Sequence, residues 1–393
     1  QHQTPRMTPT KILLTGATGF IGTRLCERLK LHWRLPYRAL VRNYTHATRI
    51  ARLDSEMIPG DLTRVDTIVK ALEGCDAIVH LAHGEDDKAP KETANVIAAA
   101  LRAKVKRFVH ISSMSVHGSN PGPESCREAT APIVRRDEST YVVSKAKEEL
   151  LVRQAIERDG LPAIILRPTV VYGPYGGFVI AAVQQAKGGV IGLLDDGKWV
   201  CNAVMVDDVC SAIHAALTTD KGVGQAFFVN SDKAITWREW NLTFGEMLGR
   251  KLETVNFDTA ELRAYWAKQK PTVKSNLTAA AKLVVSPDLH RQFGKIPAVK
   301  SAIVWAKETV KAQMGEEKVL AFKAKMSPRP RASTGPGVPL PNPSRIRLEA
   351  FPIEFSNELL KQTLGWKPAY DFQAGAEVTR QWLEFARMIP ARR

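Results

Sequence analysis

The chain has 393 residues, of which 44% are hydrophobic and 24% charged, proportions of a globular protein long enough to bury an extensive core. Its formal charge of +16 is uneven, since residues 259–350 hold 17 Lys+Arg against 6 Asp+Glu, yet no nucleic-acid-binding module accompanies that charge. There is no signal-peptide pattern, no apolar run near 18 residues and no paired cysteine spacing, which argues against secretion, a membrane span and a disulfide framework and fits a cytoplasmic protein with reduced thiols.

Residues 11–15 (Lys-Ile-Leu-Leu-Thr) read as a short buried strand that runs into Gly16, Gly19 and Gly22 and then into a helical pattern carrying Leu25 and Leu29. Strand, glycine turn and helix in that order make an anion site. The turn lets backbone approach a pyrophosphate, and the helix start offers unpaired N–H groups and a positive dipole end. The spacing is GxxGxxG and not GxGxxG, so the flanking elements carry as much of the inference as the glycines do. Residues 37–43 read as a second strand ending in Val41-Arg42-Asn43, without a carboxylate for the adenosine ribose hydroxyls. An arginine there can pair with a 2′-phosphate, which favours NADP(H) and leaves NAD(H) open. Residues 57–62 read as a third strand reaching Asp61 and Leu62, with Asp61 a candidate acceptor for the adenine amino group.

A helix over 63–74, a strand over 76–82 ending in Leu81-Ala82, a helix over 92–103 and a strand over 106–113 follow. Strands alternating with helices of this length predict a parallel sheet covered on both faces. Ligands of such a sheet gather at the C-terminal ends of its strands, where Gly16, Arg42, Asp61, Ala82 and Ser113 all fall. Further on, Tyr141-Val-Val-Ser-Lys145 puts a phenol and an ammonium four residues apart on one helix. At about 4 Å and an effective dielectric near 20, the ammonium would stabilise a phenolate by at most about 4 kcal/mol. A phenol so placed can exchange the proton of a carbinol while hydride moves to or from nicotinamide, with Ser113 donating to the same substrate oxygen.

These motifs, in this order, resemble the extended short-chain dehydrogenase/reductases of the NAD-dependent epimerase/dehydratase family. The resemblance covers residues 10–250 well and 355–385 loosely. Its further motifs are Leu166-Arg-Pro-Thr-Val-Val-Tyr-Gly-Pro174, Val204-Met-Val-Asp-Asp-Val209 and Leu364-Gly-Trp-Lys-Pro368. The resemblance implies a Rossmann-type doubly wound parallel sheet of the α/β class with a smaller, mostly helical C-terminal substrate domain. It places the catalytic serine, counted back from Val116-His117-Gly118, on Ser113, and the catalytic pair on Tyr141 and Lys145. Cofactor contacts would fall on Gly16, Thr18, Gly19, Phe20, Ile21, Gly22, Arg42, Asp61, Leu62, Leu81 and Ala82. Tyr141 and Lys145 would also meet the cofactor, with Pro168 and Val171 beside the nicotinamide ribose.

Departures narrow the chemistry. Met114 and Ser115 stand where sugar-nucleotide dehydratases carry an Asp-Glu pair, so water elimination is not expected. His117 replaces a tyrosine and is read as a packed histidine in preference to a second proton donor. The arginine that many members use for a diphosphate is missing from the segment before Val-Asp-Asp, where Lys198 is the available cation. Asn202 and the segment 235–240 look like oxidoreductases of cell-surface polysaccharide biosynthesis, although Trp237 and Trp240 also suit the packing of a helix start.

The expected organisation is a dinucleotide domain over 7–175, rejoined by 200–230, and a substrate region formed by 176–199 and 231–393. The latter includes a basic insertion at about 256–350 with helical patterns at 258–269 and 298–314 and a proline-rich stretch at 327–343. The expected activity is an oxidoreductase or epimerase at a secondary alcohol or ketone of a sugar nucleotide or related carbohydrate. A reductase of lipophilic substrates resembling 3β-hydroxysteroid dehydrogenases or flavonoid reductases, and a non-catalytic dinucleotide sensor, are the alternatives. The partner is a small molecule. The basic insertion leaves peripheral membrane contact open, and a homodimer is compatible with everything above.

Overall fold

In the computed structural model, residues 8–126, 131–269 and 338–392 are described. The predicted helix at 298–314 and most of the proline-rich stretch lie outside them. The chain divides into one compact unit running to Asn256 and resuming at Ser344, and a second from Phe257 to Pro343. Among the described residues of the second unit is a helix, Thr259–Lys268, whose N-terminus is capped by Asp258 Oδ1 accepting from Glu261 N at 2.8 Å.

The first unit is built on β1 (Ile12–Thr15), β2 (Tyr37–Val41), β3 (Glu56–Pro59), β4 (Ala77–His80), β5 (Arg107–Ile111) and β6 (Ala163–Pro168). With a later strand at Ala226–Val229 they form, among the described residues, a seven-stranded parallel sheet. Its order places β1 centrally, with β2 and β3 on one side and β4, β5, β6 and the later strand on the other. Leu14 pairs with Ala39 and Val79, and Val79 with Val109. Every residue of β1, β4 and β5 is buried, as a sheet covered on both faces requires. Alternate side chains therefore enter two cores: Ile12 and Leu14 face one, Leu13 and Ile78 the other.

The predicted strands overrun the observed ones by one to three residues at their ends, and Asp61, Ala82 and Ser113 lie in the loops just past them. Ladder pairing stops where the chain must turn to meet a helix. Those helices are α1 (Phe20–Arg28), α2 (Thr48–Ala51), α3 (Val65–Leu72), α4 (Ala89–Arg102) and α5 (Thr140–Asp159). The C-terminal part of this unit is helical at Glu358–Leu364 and Phe372–Phe385. The Val-Asp-Asp-Val signature ties it down: Asp208 accepts from Ala369 N at 2.7 Å and Tyr370 N at 3.2 Å, and Asp207 from Arg24 at 2.9 Å. Trp237 and Trp240 are buried against Tyr172, Phe244 and Phe372, so they pack the core as a helix start does. Among the described residues, no helix is long and apolar enough to cross a membrane.

Candidate active site

The glycine turn between β1 and α1 is sterically committed. Gly16 has φ +72°, and a Cβ there would sit 2.6 Å from Ala82 N. A Cβ on Gly22 would meet Gly16 O at 2.1 Å, so the first turn of α1 lies directly against the glycine turn. No side chain caps α1, which leaves its leading N–H groups open to an anion. Beside this turn is a cavity of about 520 Å³ whose wall includes Gly16, Thr18, Gly19, Arg42, Leu62 and Leu81-Ala82. Its size and mixed lining suit a dinucleotide, and the uncapped helix start with its collision-tight glycines is what a pyrophosphate needs. Asn43 and His46 join Arg42 at the end near β2, and among the described residues no carboxylate stands there.

Not every expected contact reaches that wall. Asp61 faces its own turn, its Oδ1 accepting from Thr63 N at 2.9 Å, and this bond first, with Arg42 and Arg64 nearby, holds the carboxyl low. Ile21 and Gly22 lie within α1, Pro168 ends β6, and Val171 lies in a short strand, Val170–Tyr172. Phe20 lines a smaller neighbouring cavity of about 260 Å³ together with Thr18, Gly19, His46 and Arg49.

A second cavity, of about 380 Å³, holds Ser113 and Tyr141 in one wall. Ser113 Oγ accepts from Ser115 N at 3.2 Å and Ser115 Oγ at 3.0 Å, which leaves its own O–H to donate into the cavity. Tyr141 opens α5, which Ser139 caps, and its side chain is 40% exposed. Lys145 points inward. Its Nζ donates to Ile111 O at 3.2 Å and pairs with the buried Glu148 carboxylate at 3.4 Å. This modifies the expectation drawn from spacing alone, because the bound of about 4 kcal/mol assumed an ammonium without a counter-ion, and Glu148 screens part of that field.

The rest of this wall is mostly apolar: Met114, Pro121, Val142, Phe178, Leu348, Phe351 and Phe355 line it. Three of these come from beyond residue 345, and an asparagine ladder brings them in. Asn202 Nδ2 donates to Ile353 O at 2.8 Å, its Oδ1 accepts from Phe355 N at 2.9 Å, and Asn230 Nδ2 donates to Phe355 O at 2.9 Å. One cation shares the wall, Arg347, hydrogen-bonded through Nη2 to Ser344 Oγ at 3.0 Å. Lys198, the substitute cation expected from sequence, lies over the Trp199 ring and does not line this cavity. His117 is buried, donates from Nδ1 to Pro132 O at 2.7 Å and packs edge-on against Phe228; burial pushes its pKa down to about 4. It is a packed histidine.

Sequence reasoning passed over three groups here. Arg347 and Phe355 reach the cavity across long sequence separations that no local pattern reports. His83, which lines the dinucleotide cavity, stands just past Leu81-Ala82 at a strand end, and that position was a usable signal.

Beneath Ser113 lies a buried polar cluster. Glu149 accepts from Arg167 Nη2 at 2.6 Å, Arg167 Nε at 3.0 Å, Arg153 Nε at 2.9 Å and Ser112 Oγ at 2.6 Å. Burial alone would raise this carboxyl; Arg167 and its other donors outweigh that and hold it at about 2. The Arg167 ion pair thus fixes Ser112, and with it the chain that presents Ser113.

A profile described as the NAD dependent epimerase/dehydratase family matches residues 12–229, more than half of the sequence. The chain is 25% identical over 264 residues to the 4-hydroxy-2-methyl-3-oxo-4-farnesyl-3,4-dihydroquinoline-1-oxide ketoreductase of Stigmatella aurantiaca, a match covering 65% of this chain and 78% of that protein. It is 24% identical over 408 residues to 3beta-hydroxysteroid-dehydrogenase/decarboxylase isoform 1 of Arabidopsis thaliana, covering 93% of this chain and 78% of that one. The solved dTDP-glucose 4,6-dehydratase of Bacillus anthracis in complex with NAD superposes with a TM-score of 0.64 at 18% identity, over 97% of this chain and 98% of that one, a likeness of fold. With the family profile spanning the glycine turn, Ser113, Tyr141 and Lys145, the chain belongs to the NAD dependent epimerase/dehydratase family, enzymes that work with a nicotinamide dinucleotide.

Proposed function

We propose that this chain is an oxidoreductase that interconverts a ketone and a secondary alcohol on a lipophilic substrate. Tyr141 is its general acid/base, Ser113 the donor to the substrate oxygen, and Lys145 the buried cation behind the phenol. The observation that carries the reading is the cavity around Ser113 and Tyr141, walled by Met114, Val142, Phe178, Leu348, Phe351 and Phe355. Burying apolar substrate surface there contributes about 25 cal/mol per Å². The Stigmatella and Arabidopsis relatives, named for a farnesylated quinoline oxide and a steroid, point the same way.

The bound dinucleotide supplies or takes up the hydride. The chain's own part is acid–base and positional. Ser113 donates its free O–H to the carbonyl oxygen and fixes it, and Tyr141 delivers the proton that completes the alcohol or removes it in reverse. Arg42, with Asn43 and His46 at the carboxylate-free end of the cavity, favours NADP(H). Arg42→Asp is therefore expected to lower NADPH affinity at least about tenfold while leaving NADH within about threefold.

A second reading, a sugar nucleotide substrate, is favoured by one observation: Arg347 in the cavity wall is a cation that a diphosphate could engage. A panel of lipophilic ketones and keto-sugar nucleotides separates the two. Following NADPH oxidation, methyl 3-oxodecanoate or a 3-ketosteroid should turn over and keto-sugar nucleotides should not. Turnover of keto-sugar nucleotides alone would discard the lipophilic reading.

A further inference from the structure

We propose that His83 is a positioning residue for the reaction at Tyr141: clamped between two carboxylates, its ring holds the Tyr141 side chain at the boundary between the dinucleotide cavity and the substrate cavity. The inference rests on the reading of Tyr141 as general acid/base.

His83 lines the dinucleotide cavity and Tyr141 the substrate cavity, and their rings meet edge to face, with centroids 5.1 Å apart at 85°. Tyr141 needs such support. It is 40% exposed, and among the described residues its hydroxyl has no hydrogen-bond partner and its ring no other aromatic neighbour. A half-exposed phenol held only by its own helix samples several rotamers. Displacing a catalytic group by 1 Å can cost about a hundredfold in rate.

The histidine itself is fixed from both sides. Its Nδ1 lies 2.8 Å from Glu148 Oε1 and its Nε2 lies 3.1 Å from Asp86 Oδ1. Each ring nitrogen thus has a carboxylate oxygen within hydrogen-bond distance. Each carboxylate is in turn anchored to α5. Glu148 lies on that helix, is fully buried, and also accepts from Thr93 Oγ1 at 3.1 Å and Lys145 Nζ at 3.4 Å. Asp86 Oδ2 accepts at 2.5 Å from Thr140 Oγ1, the residue preceding Tyr141. The clamp therefore engages α5 at two points, at Thr140 beside the phenol and at Glu148 about two turns further along. The neighbouring His80 and His110 are pushed by burial to about 3 and about 4 and stay neutral.

The test uses the whole chain with NADPH and methyl 3-oxodecanoate as the probe. His83→Ala should lower kcat at least about tenfold, with KM for the ketone and NADPH affinity, read by nicotinamide fluorescence, each within about threefold. His83→Phe, which restores a ring edge but neither of the two contacts that fix it, should recover part of the lost kcat, to between the His83→Ala and native values. A His83→Ala kcat within twofold of native, or a His83→Phe variant as slow as His83→Ala, overturns the proposal. So does a tenfold loss of NADPH affinity, which would make His83 a cofactor ligand. Tyr141→Phe run alongside separates the two levels. If it keeps activity, the acid/base reading fails; if it is inactive while His83→Ala is native-like, only the positioning role fails.

Discussion

Replacing Arg167 by methionine tests whether the buried ion pair under Ser113 organises the site. Arg167 and Glu149 are both fully buried, and two of the four hydrogen bonds to the carboxylate, at 2.6 and 3.0 Å, come from this guanidinium. Methionine keeps most of the volume but leaves Glu149 with Arg153 and Ser112 as its remaining partners. A buried charge stripped of its main counter-ion costs about 3–5 kcal/mol. With a urea m-value of roughly 3 kcal/mol per M, the unfolding midpoint should fall by about 1 M or more. The double variant Arg167→Met, Glu149→Leu removes the stranded charge and should recover most of that loss. Activity should follow the opposite order, because only the double variant removes the carboxylate that holds Ser112 and so loosens the chain that presents Ser113. A single variant that loses less than about 1 kcal/mol, or a double variant no more stable than the single, would refute this reasoning.

Gly16→Ala should be more damaging than a glycine substitution in an ordinary loop. Left-handed strain costs about 1–2 kcal/mol and the 2.6 Å approach to Ala82 adds an overpacking cost of about 1–3 kcal/mol, so NADPH binding measured by fluorescence should be lost together with stability. In acid, Glu148 and Glu149 should dominate. Both carboxyls sit at about 2 in the native state against 4.5 in the unfolded chain, so the stability they contribute is present above about pH 4.5 and is lost as pH falls toward 2. Asp208, pushed by burial up to about 6, works in the opposite sense between roughly pH 4 and 6. Urea midpoints measured across this range should therefore fall steeply only below about pH 4.5, and Glu149→Gln should flatten that fall.

The glycine turn, the succession of strands and helices after it and the helix that carries Tyr141 and Lys145 could be read from sequence because each rests on a local cause. A short apolar run makes a buried strand, glycine is needed at φ +72° at Gly16, and residues four apart share a helix side. What could not be read depends on distant partners. Lys145 acquires Glu148 as a counter-ion only because α5 is buried against the sheet, and an isolated Tyr-x-x-x-Lys pattern says nothing about burial. Phe351, Phe355 and Arg347 reach the cavity around Ser113 from a segment that Asn202 and Asn230, more than 100 residues earlier, hold in place, so their part in its wall was hidden from the sequence. Asp61 shows a local contact that a strand-end position does not report, its Oδ1 accepting from Thr63 N at 2.9 Å to close a turn.

Tyr141 is proposed to deliver the proton while a nicotinamide dinucleotide reduces a lipophilic ketone. The most direct measurement supplies NADPH deuterated at the transferring position together with methyl 3-oxodecanoate, and follows deuterium in the product for the native chain and for Tyr141→Phe. The expected result is deuterium on the carbinol carbon for the native chain, and a rate at least about a hundredfold lower for the variant. An alcohol without label, or a Tyr141→Phe variant as fast as the native chain, would contradict it.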